Sequence, residues 1–462
     1  MFEILKKQYL LLIFFPILVN ALFNFFKASR NINFETVNFY DLVSLLLLFL
    51  FFCTVGISVK KSLNLHSTAF SIVVFLFSFF IFDVSTLFVY KLLSFKQIFM
   101  IVNCIWLLIF IYKKRYLETF LITVFYYSLN LFNKININQL TKNQNIKGDV
   151  EAVFFSQTQN IYEQSYYFSV TNFTFEGYPQ FTSYIQALFS LFSVNLNEFI
   201  YLSISTKVVF LLSVLFFLEL KTTRINRIFI ILIFTSLIVN SDWLQFLFTS
   251  SLMSEGIVSL FGAIVFYEIF NSKQNMRIIF VVFGMLYFTK QFLSLIVIIF
   301  LIVILFNENY KKFVLFGFFG MALKEFLYIF VFKEINSSHH LSQIDIPLTL
   351  KELATLKNLE FSNIFLIGKN IFVDKPLTML LVGIIILYIS YKFSNKVVPA
   401  QINIYISVIL FNIFCILTLY ISAWKNMELE SPIRFIWSFL HLKLTLICLL
   451  FDNDKVNAKT SS

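Results

Sequence analysis

Long apolar stretches recur along the whole chain and are separated by short polar connections. Most of these stretches run for roughly 15 to 25 residues with almost no charge, close to the ~20 residues with which a helix crosses ~30 Å of hydrocarbon. Stretches such as 45–52 and 295–306 are apolar at every position instead of alternate ones, which favours helices over strands. The pattern predicts an all-α integral membrane protein with about fourteen transmembrane helices.

Composition and charge support this class. The chain of 462 residues is 59% hydrophobic and 13% charged, about half the charged fraction of typical soluble chains, which excludes a water-soluble globular protein. The formal net charge is +11, but the 36 lysines and arginines are scattered singly and in small groups and form no basic face. We therefore predict no nucleic-acid partner and use the basic residues to predict topology.

Basic residues concentrate on alternate connections between the predicted spans. Under the positive-inside rule, the connections around 60–61, 113–115, 221–227, 273–277, 311–312 and 392–396 are cytoplasmic, as are both termini. The predicted spans lie near residues 8–26, 42–58, 68–90, 97–112, 116–132, 199–220, 228–241, 244–270, 278–290, 291–307, 313–332, 376–391, 399–422 and 433–451. The first is interpreted as an uncleaved span and not as a signal peptide.

The stretch 179–194 is too short to cross, and a crossing there would move the basic connection 221–227 to the wrong face. We predict that it forms an interfacial helix in a large external loop. The chain then divides into an N-terminal four-span region (1–115), a membrane core (116–451) with long external loops at 133–180 and 333–376, and a cytoplasmic tail (452–462).

Candidate chemistry begins in the first long loop. The segment 148–162, GDVEAVFFSQTQNIY, is followed by EGYPQFTSYIQALFSLF at 176–192. Together they resemble the external loop of C-type membrane glycosyltransferases, which use polyprenyl-phosphate-linked sugars and include the protein mannosyltransferase and aminoarabinose transferase group. The resemblance implies that Asp149 is the catalytic base, with Glu151 as the alternative base, and that Tyr178 and the following proline open a surface helix.

Three later segments fit the same family. SSLMSEGIVSLFG at 250–262 resembles a span that starts with an acidic residue, here Glu255, and GMLYFTKQFLSL at 284–295 resembles a Thr-Lys pair, here Thr289 and Lys290. ELESPIRFIWSFLHL at 428–442 resembles a terminal Ser-x-x-Arg segment that ends in Arg434. The acidic residues Glu176, Glu428 and Glu430 complete the candidate substrate cavity, together with Tyr178 and Glu255.

The chain departs from the family pattern in the large loop. Relatives carry two lysines where this chain has Gln157 and Gln159, a histidine or aspartate where it has Glu176, and tryptophans where it has Gly148 and Glu151.

The resemblance implies transfer of a sugar from a polyprenyl-phosphate donor to a lipid, glycan or protein acceptor on the external face, most simply at a bacterial inner membrane. Asp149 would take the proton of the acceptor hydroxyl, while Lys290 and Arg434 would bind the donor phosphate. The expected partners are membrane lipid and the lipid-linked donor, with no obligate protein partner. We predict no cofactor and no metal, because the cysteines and the His339–His340 pair lack metal-ligand spacing.

Two other functions remain open. A polysaccharide polymerase or ligase shares the many spans and the large loop, but is expected to use arginines there, and 133–180 contains none. A transporter or lipid flippase would favour two related halves with broken helices, and the 10 glycines and 6 prolines give little sign of them. A purely structural membrane protein is the remaining alternative.

Overall fold

The computed structural model describes residues 39–86, 95–135, 181–190, 200–241, 255–289, 291–330, 365, 369, 375–393, 400–422 and 436–452. Within these ranges there are fourteen α-helices, one 3-10 helix and no strand. The α-helices are α1 (Phe39–Leu63), α2 (Thr68–Thr86), α3 (Phe95–Tyr112), α4 (Tyr116–Ile135), α5 (Phe181–Ser190), α6 (Ile200–Glu219), α7 (Arg224–Asn240), α8 (Glu255–Asn271), α9 (Met276–Met285), α10 (Gln291–Leu305), α11 (Lys311–Phe330), α12 (Lys375–Phe393), α13 (Ala400–Ser422) and α14 (Leu440–Asp452).

The helices follow the apolar stretches. Every predicted span overlaps one of them except the first, 8–26, which lies outside the described residues. The all-α prediction is therefore confirmed for the described part of the chain. Helix α9 is short and continues as the 3-10 helix Leu286–Phe288. Among the described residues, α1 alone is both long and apolar enough to cross a bilayer by itself, over Leu46–Leu63.

The chain divides into two compact units. The first unit comprises Val37–Glu219 and Thr249–Ser342 and contains α1 to α6 and α8 to α11. The second unit comprises Met1–Thr36, Leu220–Phe248 and Gln343–Ser462 and contains α7 and α12 to α14.

Aromatic side chains fill much of the core of the first unit. The rings of Phe266 in α8 and Phe300 in α10 have centroids 4.7 Å apart, and Phe283 of α9 lies 5.3 Å from Phe266. Further along the chain, Phe270 of α8 contacts Tyr310, which follows α10. Contacts therefore advance along α8 and α10 together, and the two helices run in the same direction.

In the second unit, α14 packs against α7, α12 and α13. The ring of His441 lies 5.1 Å from Phe234 of α7, and the Cys448 thiol donates to the carbonyl of Asn226 over 3.9 Å, so α7 and α14 are antiparallel. The buried ammonium of Lys443 donates to the carbonyl of Ile436 over 2.7 Å. That bond satisfies a carbonyl just before α14, where the helix is interrupted by a turn at 438–439.

Candidate functional site

Most of the predicted site residues lie outside the described residues. These are Asp149, Glu151, Glu176, Tyr178, Lys290, Glu428, Glu430 and Arg434, together with Gln157 and Gln159. The structure describes Glu255, Thr289 and helix α5, which begins three residues after Tyr178. These three features belong to the first unit.

One end of the first unit gathers the connections that carry basic residues. Asn275 donates to the carbonyls of Leu63 and Asn64, and the Lys61 ammonium bonds to Glu118 at the start of α4. Tyr310 packs on Phe270 and Phe280, which brings the α10–α11 connection to the same end. The basic residues here are Lys60, Lys61, Lys113, Lys114, Arg115, Lys273, Arg277, Lys311 and Lys312. We call this the basic end.

Three features at the basic end concern ionisable groups. The Glu219 carboxylate accepts from the backbone N–H groups of Thr68 and Ala69, each over 2.8 Å, and so occupies the N-terminus of α2. Glu268 is fully buried in α8, and its Oε1 lies 3.6 Å from His66 Nδ1. Packing around Tyr310 buries its phenol, and this burial raises the pKa of Tyr310.

The far end of the first unit holds Thr289 and the start of α5. Helix α9 begins beside the basic end at Met276 and runs through the 3-10 helix to Thr289. Thr289 is 1% exposed, and its hydroxyl donates to the carbonyl of Leu286 over 2.6 Å. The Thr182 hydroxyl of α5 donates to the carbonyl of Thr289 over 3.5 Å. The two motifs that contain these residues therefore meet at one place.

A helix forms inside the stretch 179–194, where an interfacial helix was predicted, and its length confirms that it is too short to cross a bilayer. The side chains at 181–185, 187 and 188 are all fully buried. Two aromatic residues of α5 pack into the bundle: Phe181 and Tyr184 contact rings of α2, and Phe181 also contacts Phe261 of α8.

Glu255 lies at the same end as Thr289. It is the first residue of α8 and is 3% exposed, in a position where the helix N-terminus favours a negative charge. The 250–262 motif that begins α8 meets α5 further along, where Phe261 of α8 lies 6.1 Å from Phe181. The structure therefore brings α5 into contact with Thr289 and with the first turns of α8.

The sequence interpretation missed several residues that the structure brings to notice. Thr182 stands inside the quoted 176–192 motif, but as one hydroxyl among many it had no distinguishing signal. Glu219 and Glu268 are single acidic residues near the ends of apolar helices, and that pattern was itself a detectable signal. Within the described ranges, no three His, Cys, Asp or Glu side chains come close enough to share a metal ion.

Comparison with known proteins assigns the chain to no family. No protein-family model, curated protein or solved structure matches this chain.

Proposed function

We propose that the chain is a multi-pass membrane protein with its basic end in the cytoplasm. The distribution of polar and apolar side chains supports this. Large apolar residues more than half exposed to the surroundings include Leu108, Leu117, Phe120, Leu315 and Phe319 in the first unit, and Leu410 and Phe414 in the second. Polar residues such as Ser71, Ser213 and Glu268 are instead fully buried. An apolar exterior around a partly polar interior suits lipid as the surrounding solvent.

We infer further that the protein is a glycosyltransferase that takes a sugar from a polyprenyl-phosphate donor at the far end. One observation supports this inference: the three separately quoted motifs 176–192, 250–262 and 284–295 meet at the end opposite the basic residues, because Thr182 bonds to Thr289 and Phe181 contacts Phe261. Lys290 follows Thr289 directly, and Tyr178 and Pro179 directly precede α5 in the sequence. This end would face outward if the basic end is cytoplasmic.

In the proposed reaction, the oxygen of the acceptor hydroxyl attacks the anomeric carbon of the donor sugar. The bond from that carbon to the phosphate oxygen breaks, and its electron pair leaves with the polyprenyl phosphate. The Asp149 carboxylate takes the hydroxyl proton as the new bond forms. Lys290 stabilises, as a point charge, the negative charge that collects on the departing phosphate.

The decisive experiment is an assay of sugar transfer from labelled polyprenyl-phosphate sugars by the purified protein in detergent or liposomes. Asp149→Asn is expected to lower the rate of transfer by about 10²- to 10⁴-fold, because it removes the base. Asp454→Asn in the C-terminal tail is the matched control and should transfer at the wild-type rate. Full transfer by Asp149→Asn would remove Asp149 as the base, and no transfer by the wild type with any donor would remove the proposed function.

A second candidate, a proton-coupled transporter or flippase, is favoured by the Glu268–His66 pair. Glu268 is 0% exposed, and among the described residues no donor makes a hydrogen bond to its carboxylate. Ionisable residues inside a membrane helix often mark a proton path. In proteoliposomes, this alternative predicts lipid or solute movement driven by a pH gradient and lost in Glu268→Gln. If lipid or solute movement does not depend on the pH gradient in either the wild-type protein or Glu268→Gln, this alternative is excluded.

A further inference from the structure

The turn between α3 and α4 ends α3 with a Schellman motif in which a lysine takes the position that glycine usually holds. The backbone N–H of Arg115 donates to the carbonyl of Phe110 over 2.8 Å. The N–H of Lys114 donates to the carbonyl of Ile111 over 2.9 Å, and Lys114 has a φ of 57°. The other described non-glycine residues with a positive φ are both asparagines, which enter this region more readily than lysine. A glycine would fit position 114 with less strain.

Carboxylates do not neutralise the two lysines of this turn. Lys113 and Lys114 are exposed, and within the described ranges neither ammonium group pairs with a carboxylate. The acidic residue in the first turn of α4, Glu118, bonds to Lys61 instead. The Lys113 ammonium lies 5.7 Å from the centroid of the Tyr112 ring. The turn therefore presents two positive charges to its surroundings.

Exposed aromatic and apolar side chains continue from the turn onto both helices. Tyr112 at the end of α3 is 81% exposed, and Tyr116 at the start of α4 is 63% exposed. One helical turn further from the connection, Leu108 and Phe120 are also more than half exposed. Lysine, then tyrosine, then apolar side chains is the order in which these groups suit lipid phosphates, the headgroup region and acyl chains.

We propose that the α3–α4 turn binds an anionic phospholipid, with Lys113 and Lys114 at its phosphate. The two ammonium groups complement the charge of the headgroup, and the exposed side chains on both helices contact the rest of the lipid. The charge at position 114 gives a reason for a lysine in a conformation that favours glycine. This inference rests on the membrane placement in the proposed function and is independent of the sugar-transfer reaction.

The test measures equilibrium binding of radiolabelled phosphatidylglycerol to the purified full-length protein in micelles of a neutral detergent. Combining Lys113→Gln with Lys114→Gln should weaken binding by about 10- to 30-fold, because each lysine beside an anionic headgroup contributes a several-fold factor. Thermal unfolding shows that the variant is folded.

The matched control combines Lys311→Gln with Lys312→Gln. It removes the same charge from two exposed lysines of the same basic end, but Lys311 already lies 3.7 Å from Glu308. This variant should bind phosphatidylglycerol within about threefold of the wild type, because charges away from the bound headgroup are screened. Similar weakening by the two double variants would show a diffuse attraction to the whole basic end and would overturn the proposal.

Two single variants separate lipid binding from the stability of the turn. Lys114→Gly removes the charge and relieves the left-handed backbone, so binding should weaken by about three- to tenfold without a loss of thermal stability. Lys114→Arg keeps the charge and should bind within about twofold of the wild type. Wild-type binding by Lys114→Gly would overturn the role of Lys114.

Two further ligands identify what the turn recognises. Phosphatidylcholine has no net charge and should bind at least about tenfold more weakly than phosphatidylglycerol. Glycerol phosphate has the charge but no acyl chains and should not displace the labelled lipid. Equal binding of phosphatidylcholine would indicate an unselective lipid contact, and displacement by glycerol phosphate would indicate a free-phosphate site. Either result would overturn the proposal.

Cell fractionation distinguishes failure of this inference from failure of the proposed function. Recovery of the protein from the soluble fraction without detergent would overturn the membrane placement, and the lipid site with it. A membrane-bound protein without selective phosphatidylglycerol binding would overturn the lipid site alone. Absence of sugar transfer would overturn the enzyme assignment and leave the lipid site standing.

Discussion

Two acidic side chains at the basic end, the half-buried Glu219 and the fully buried Glu268, show how differently a carboxylate is accommodated. Glu219 accepts two backbone hydrogen bonds at the N-terminus of α2, and Lys60 lies 3.9 Å from the same carboxylate. Glu268 is more deeply buried and has the imidazole of His66 beside it. Glu219 therefore joins the end of α6 to the start of α2, whereas Glu268 depends on a single neighbouring ring among the described residues.

The first prediction concerns the Glu219 cap. Glu219→Ala is expected to lower the free energy of unfolding by about 1–3 kcal/mol, because two backbone donors of α2 lose a charged acceptor. Thermal unfolding in detergent measures the change. Glu308→Ala is the control: its carboxylate is 86% exposed and pairs only with nearby Lys311 among the described residues, so the loss should stay below about 0.5 kcal/mol. Equal destabilisation by the two variants would contradict the capping role.

The second prediction concerns the His66–Glu268 pair. His66→Ala removes the polar group beside the buried Glu268 carboxylate and is expected to destabilise the protein by about 1–3 kcal/mol, less than for a fully buried partner because His66 is partly exposed. Adding Glu268→Gln should restore much of that loss, since a neutral amide is less costly to bury than a carboxylate. Strictly additive effects in thermal unfolding would show that the two side chains do not interact.

At the scale of elements, α9 and α11 approach each other through glycines. A Cβ built at Gly284 would overlap the carbonyl oxygen of Gly317, and a Cβ at Gly320 would overlap the carbonyl of Val281. Backbone atoms cannot move aside as the end of a flexible side chain can. Small residues at a helix crossing allow the close backbone contact that drives association where water supplies no hydrophobic force.

The third prediction follows from this crossing. Gly284→Ala should separate α9 from α11 and destabilise the protein by about 1–3 kcal/mol, even though alanine is the better helix former. Gly262→Ala in α8 is the matched control, because nothing lies within 4 Å of the Cβ position there. That variant should be neutral or up to about 1 kcal/mol more stable. If both alanine variants melt at the wild-type temperature, the α9–α11 crossing is not tightly packed.

At the scale of the whole molecule, the basic connections of the first unit collect at one end. The fourth prediction is that this end is cytoplasmic. In a protein whose native cysteines are replaced, Lys114→Cys and Asn309→Cys should resist a membrane-impermeant thiol reagent added to intact cells. Asn145→Cys, in the loop predicted to be external, should react, and all three should react in permeabilised cells. Labelling of position 114 or 309 in intact cells would contradict the orientation.

Much of the helical framework was predictable, and the reason is local. A run of apolar residues long enough to cross hydrocarbon must satisfy its own backbone hydrogen bonds, so its length and limits already predict a helix there. Helices α1, α3 and α4 begin and end within a few residues of the predicted spans. The burial of α5 was not predictable in this way. Charge and length indicate only that 179–194 does not cross, and they say nothing about which side chains surround it.

Some features of the candidate site were likewise predictable from the local sequence, whereas others depended on packing between distant segments. The sequence by itself determined the helical class, the alternation of basic connections and the motifs that contain Glu255, Thr289 and Thr182, because each depends on residues that are neighbours along the chain. Only the tertiary structure decided that α5 is buried, that Thr182 reaches Thr289 and that Phe181 contacts Phe261 of α8. Those contacts join segments that are far apart in the sequence, and their geometry depends on how rings such as Phe181 and Phe77 pack between helices.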